Sequence, residues 1–408
     1  MKTNQKHIFA LSAFLFLAIV GFAQTRVNQT LIMRNISNKT MWDGHVMNVF
    51  GFGPSLGTVP VPGPTLYCNE GDTLDVFTFN ISQGSGHTIH PHGLDVPQNM
   101  DGVHSTSFMI SHMMDTNLIW VAPHAGTYLY HCHMGSVLHV QMGMYGAIIV
   151  RSAGGARTAY TGGPPFHQEK LWLMSEMDSY WHDSLPGSAH WVNYFRVPPY
   201  HPDYFLVNGL SKHQLEDSTI SIHAQVNEKV YVRLANIGYN MDEVEFPADM
   251  NATILSADGR PVPPLQRDKI YVCPGERYGV MLTPSQQLSY TAKIRYLDMN
   301  TMLPRGMEEI PIIIGGILGN AGESNNELAI ESWPNPAKDH ISIRFKEDAS
   351  GLAQFDLMSL EGKSIRQEEA RLSSTAIHTF NLTGISSGIY LLKVSSKSRA
   401  RTLKITVE

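Results

Sequence analysis

The chain has 408 residues, 43% of them hydrophobic and 16% charged, which suits a globular protein of two or three domains. A formal charge of −6 provides no basic footprint and argues against nucleic-acid binding. Three cysteines, Cys68, Cys132 and Cys273, are too few for a disulfide-built secreted scaffold; Cys68 and Cys273 are either a pair or two buried thiols.

The chain opens on Lys2 and Lys6, then an apolar run from Ile8 to Phe22 and a small-residue end at Ala23. This is the pattern of a secretory signal over 1–23. The run is short for a bilayer-spanning helix, and no later segment is apolar enough to be one. Residues 24–152 alternate apolar and polar positions between Gly, Pro and Asn breaks, as in TLDVFTFNIS, GTYLYHCH and YGAIIVR. That is the period of strands, without a sustained helical repeat, and predicts an all-β sandwich or barrel. A Gly/Pro-rich linker, 153–166, leads to a second strand-rich domain over 167–316. A small polar linker, 317–327, precedes a third strand-rich unit, 328–408.

Ten of the 19 histidines fall within 24–152, so the chemistry is expected there. Successive side chains on a strand face opposite ways. In YHCHM, Cys132 therefore faces one side while His131 and His133 face the other. In HTIHPHG, if extended, His90 and His92 share a face and His87 has the opposite parity. Cys132 and His87 form one group; His90, His92, His131 and His133 form another. The loop-like stretch GSVLHVQMGM adds His139 and Met144 to the first. Two imidazoles, a thiolate and an axial thioether suit a blue-copper site, with Met142 competing with Met144 for the axial place. Tetrahedral zinc is the other metal reading, although structural zinc sites generally use more cysteine and rarely methionine. Because His131 and His133 flank Cys132 through the backbone, a metal in the second group would be covalently wired to the first.

These motifs resemble those of the multicopper oxidases, the family of laccases and copper-resistance oxidases. HTIHPHG is similar to the family's H-x-x-H-x-H-G block, and HCHMGSVLHVQMGM to its HCH block ending in His and Met. VPGPTLYCNEGD and HGLDVPQNMDGV resemble the framing of its first domain. The resemblance covers about 25–316 and implies two cupredoxin-like Greek-key barrels, the second copper-free. It implies type 1 copper on His87, Cys132, His139 and Met144, a type 2 ligand in His90, and type 3 ligands in His92, His131 and His133. Asp101 matches an acidic position that the family associates with proton supply; an Asp before Gly is also an ordinary turn. The implied partners are O2 and a phenolic, metal-ion or other small electron donor.

Two departures stand out. The Cys132-to-His139 spacing is seven, not the five of typical laccases. The family's trinuclear cluster also needs eight histidines, whereas the second domain has no H-x-H block. One chain thus carries a type 1 site and half a cluster. Two chains could pool their four histidines in a homo-oligomer. Alternatively, the four could hold one or two metals in an unusual active site, the type 1 site could be paired with a mononuclear copper as in copper nitrite reduction, or the protein could be an electron carrier or a copper-sequestering surface protein.

The tail, from SWPNPAKDHISI to GIYLLKV and TLKITVE, resembles the C-terminal sorting domain of the type IX secretion system. That resemblance implies the secretion machinery as a partner and an extracellular or cell-surface location.

Overall fold

The computed structural model describes residues 25–407 except 58, 85, 185–197, 318–327, 329, 346–350, 360–363, 373–376 and 397–398. The expected signal segment, and the expected second linker apart from Ile317, lie outside the described residues. The chain divides into two compact units, Met1–Leu318 and Gly319–Glu408, both built almost wholly of strands.

Alternating burial builds the first half of the larger unit. In Asp115–Val121, Leu118 and Trp120 point inward while Asp115, Asn117 and Val121 are exposed. This strand closes a four-stranded sheet in the order Val46–Gly53, Arg26–Thr40, Thr73–Asn80, Asp115–Val121. A second four-stranded sheet runs Leu66–Asn69, Tyr145–Arg151, Gly126–His131, His90–His92. Leu31, Phe52, Leu74, Trp120, Tyr128 and Ile148 share one buried core. Cys132, Met142 and Met144 belong to that same core, so the candidate ligands of the Cys132 group sit in its apolar interior.

Residues 168–317 contribute a six-stranded and a five-stranded sheet around a core that includes Trp172, Val232, Leu234, Val244 and Ile294. Met47, Val61, Tyr145 and Ala147 pack with Leu173, Met177, Leu206 and Ala235 from this part of the chain. Arg233, 1% exposed, donates from Nε to Glu169 at 2.7 Å and from Nη1 to Thr127 Oγ1 at 3.1 Å. A buried guanidinium so paired is costly to orphan. The stretch expected as the first linker is itself packed: Ala159 and Phe166 are buried with Tyr231, Leu255 and Met281.

The smaller unit pairs a three-stranded sheet, Ile330–Trp333, His340–Phe345 and Ile377–Asn381, with a four-stranded one. Ile341, Ile343, Phe355, Phe380, Val394 and Ile405 form its core. Among the described residues, no helix is long and apolar enough to cross a membrane.

Candidate metal centre

Cys132 follows directly on the strand Gly126–His131, and its amide donates to Met144 O at 3.0 Å. The Met144 amide in turn donates to His139 O at 2.9 Å. The ligand-bearing stretch expected as a loop is in fact a short helix, α1 (Ser136–Gln141), followed by Gly143 at φ 112°. A Cβ at Gly143 would lie 2.6 Å from Val61 Cγ2 and 2.8 Å from Phe50 O, so only glycine lets the chain turn back between Met142 and Met144. A six-residue helix is too short to leave a periodic signal in sequence, which is why it reads as a loop.

This turn brings His139 onto Cys132. The Sγ atom lies 3.2 Å from His139 Nδ1 and 3.6 Å from His87 Nδ1. His87 is held by a two-way backbone bridge to Ile110, at 3.1 and 2.8 Å. His87, Cys132, His139, Met142 and Met144 are all buried. Burial holds the His87 imidazole well below its ordinary range, with His139 adding to the effect, and brings His139 to about 4. Both rings are therefore neutral at physiological pH, the form that binds metal. Burial also pushes the Cys132 thiol up to about 11, a cost that a bound cation would remove by stabilising the thiolate.

His131 points away from Cys132 into the second group. The ligand atoms of His90, His92 and His131 lie within 4.8 Å of one another. His131 Nδ1 is 3.0 Å from Cys132 O, which leaves Nε2 facing His92 Nδ1 at 3.4 Å. His90 Nδ1 donates to Asp101 O at 2.7 Å and lies 3.2 Å from Asp101 Oδ1, so its Nε2 is free to ligate. Tying one ring nitrogen to the protein while freeing the other is how metal-binding imidazoles are oriented. Burial lowers His92 to about 4, helped by the Arg277 charge, and His131 to about 3. His133 stands outside the three-nitrogen group. Its ring centroid is 5.4 Å from that of His90 and 6.0 Å from that of His131, and its buried Nδ1 has no hydrogen-bond partner among the described residues.

Asp101 is set by the turn Gln98–Met100, whose Met100 carbonyl accepts from the buried Trp120 Nε1 at 3.0 Å. Gly102 follows at φ 70°, and a Cβ there would lie 2.1 Å from Ile89 O. The Asp-Gly pair is therefore a close approach to the strand carrying His90, with Asp101 fastened to that histidine. Cys68 and Cys273 are both free thiols, so the possible pair is not formed. Sequence reading missed Thr88, whose Oγ1 accepts from the His133 amide at 2.9 Å, and Gln141, whose partners are 35 to 59 residues away. Both lie inside the quoted motif blocks, at positions whose identity those motifs leave open.

The donor sets suit copper: a dry group of thiolate and two neutral imidazoles with thioethers in the same core, and an all-imidazole group beside it. A multicopper oxidase family profile matches residues 59–154 and another matches 172–306. A secretion system C-terminal sorting domain profile matches 331–408. Copper resistance protein A of Escherichia coli is 28% identical over 283 residues, covering 58% of this chain and 44% of that protein. The chain thus spans less than half the length of that curated relative. Among solved structures, the blue copper oxidase of Nitrosomonas europaea is similar at a TM-score of 0.58 and 24% identity, covering 71% of this chain and 86% of that one. The copper nitrite reductase of the same organism has a TM-score of 0.53 at 18% identity, covering 71% and 94%. These likenesses carry the cupredoxin-like fold. The chain belongs to the multicopper oxidase family and ends in a secretion sorting domain.

Proposed function

We propose that this protein is an exported copper oxidoreductase that takes single electrons from a phenolic or metal-ion donor at the Cys132 group and reduces O2 at the histidine group. The observation that carries the reading is the pair His131–Cys132, consecutive residues whose side chains enter two different potential metal groups. His87, Cys132, His139 and Met144 would hold a type 1 copper; His90, His92, His131 and His133 would hold type 2 and type 3 copper. Copper bound in these groups supplies one-electron redox chemistry. Met144 is the better axial candidate because its backbone bonds to both Cys132 and His139.

The chain's own contribution is positional. The buried core excludes water from Cys132, and the Cys132–His131 peptide is a short covalent path between the groups. Asp101 orients His90 and is close enough to pass protons there. Four-electron reduction of O2 calls for more ligands than these four histidines. His90, His92 and His133 are only partly buried, leaving a face that a second copy could cover with its own set. A homo-oligomer sharing the cluster is therefore part of the proposal. So are the signal segment 1–23 and delivery to the surface or medium by the type IX machinery through the sorting domain.

A second reading is favoured by one observation: His90, His92 and His131 already converge within a single chain. Three imidazoles with an open position suit a mononuclear reaction site, as nitrite reduction would need. Copper stoichiometry and oligomer mass, measured alongside O2 uptake and nitrite consumption, separate the two. The shared cluster predicts an oligomer with more than two coppers per chain on average, part of the copper silent in paramagnetic resonance, and O2 uptake. Two fully paramagnetic coppers per chain with nitrite turnover would establish the second reading, and one copper per chain with neither activity would leave an electron carrier.

A further inference from the structure

Residues 167–316 contribute none of the proposed copper ligands, yet they grip the stretch that carries two of them. Gln141, the last residue of α1, lies between His139 and Met144 and is 3% exposed. Its side-chain amide is fully engaged by the second half of the unit. Nε2 donates to Glu176 O at 3.0 Å and to Tyr200 Oη at 3.2 Å, while Oε1 accepts from the Asp178 amide at 2.7 Å. Tyr200 Oη in turn donates to Glu176 Oε1 at 3.2 Å, so the donors and acceptors form a consistent chain. Two further contacts hold the same stretch. Tyr145, directly after Met144, donates from Oη to Ser175 Oγ at 2.9 Å, and Tyr239 Oη donates to Val137 O at the start of α1. Ser175, Glu176, Asp178 and Tyr145 are all buried. Glu176, Asp178 and Ser175 sit at or just beyond the end of one strand, Gln168–Met177, so they present a rigid edge.

The stretch carrying His139 and Met144 is therefore held from outside the half of the unit that contains it, in addition to its own bonds to Cys132 and Phe50. We propose that Gln141 is a positioning residue through which the ligand-free second half fixes the geometry of the Cys132 site, and thereby its copper affinity and reduction potential. This rests on reading the Cys132 group as a type 1 copper site. Hydrogen-bonded partners behind the ligands orient them, and their loss commonly costs 10–100-fold in metal affinity or activity. A small change in the approach of an axial thioether alters the potential of such a site. The arrangement also supplies a reason for the second half to accompany the first: Glu176, Asp178, Tyr200 and Tyr239 hold α1 at both of its ends.

The test uses the full chain loaded with copper. Gln141→Met keeps the length of the side chain and removes its amide, and Tyr145→Phe removes only the hydroxyl that reaches Ser175. As a control, Tyr296→Phe removes an equally buried hydroxyl, bonded to Leu206 O at 2.7 Å within the second half. The expected result is that Gln141→Met and Tyr145→Phe shift the thiolate-to-copper absorption, the copper hyperfine splitting and the reduction potential. Copper affinity should fall about 10–100-fold in Gln141→Met. Tyr296→Phe should lower thermal stability and leave the spectrum unchanged. If Gln141→Met does not fold, Tyr145→Phe decides alone. Unaltered spectra and potential in folded variants would overturn the proposal, as would equal shifts in the control. A wild-type protein with no thiolate-to-copper band would instead overturn the type 1 assignment itself.

Discussion

His131 and Cys132 are neighbours in sequence, yet His131 Nε2 faces His92 at 3.4 Å while Cys132 Sγ faces His139 at 3.2 Å. One peptide bond therefore joins two groups that otherwise share no ligand. Replacing His131 with Ala should leave the blue absorption of the Cys132 group in place and remove O2 reduction. Stopped-flow reduction and oxygen uptake on the same sample check this; uptake that survives would mean the histidine group is not where O2 reacts.

Among the described residues, the Cys132 thiol is the one anionic ligand available to its group, in a buried site. Cys132→Ser should lose the blue colour and oxidase turnover together, because a hydroxyl neither ionises at this depth nor matches the softness of sulfur. Turnover without colour would show that electrons enter elsewhere.

Asp101 fastens His90 through its carbonyl and carboxylate. Asp101→Asn keeps the turn and the carbonyl contact but removes the negative charge. Copper bound by the histidine group should weaken about 10–100-fold, with the Cys132 spectrum unaffected. Metal titration followed by paramagnetic resonance distinguishes the two populations. Loss of the blue signal in this variant would contradict the separation of the groups.

Glu176 bears on stability and its pH dependence. Burial pushes its carboxyl up from 4.5 to about 7. The folded protein therefore keeps a proton that the unfolded chain releases at lower pH. Stability from this group is full below about 4.5 and declines as pH rises toward about 7, because the folded state there binds more protons. Glu176→Gln keeps an oxygen for the Tyr239 and Asn240 amides and the Tyr200 hydroxyl, and it cannot ionise. It should gain on the wild type above pH 7 by on the order of 2 kcal/mol, with little difference near pH 5. Thermal melts at the two pH values measure this; a constant difference would mean that ionisation of Glu176 is not the cause.

Much of this protein was legible in the chain itself. The period-two alternation fixes an all-β fold because strand side chains alternate faces whatever their partners. The same local rule separates Cys132 from His131 and His133, and the ligand types and spacings point to copper through donor chemistry alone. The terminal strands and Pro-Asn-Pro start likewise announce the sorting domain. Tertiary structure alone decided which ring nitrogens are free, since that depends on Asp101 reaching His90 and on the Cys132 carbonyl reaching His131. It also decided that three histidines converge while His133 stands apart, that Cys68 and Cys273 stay unpaired, and that the expected linker is packed. Gln141 shows the reason most clearly. Its partners are 35, 37 and 59 residues distant and are brought to it by the packing of strands, whereas periodicity records only which way a side chain faces and not what it meets.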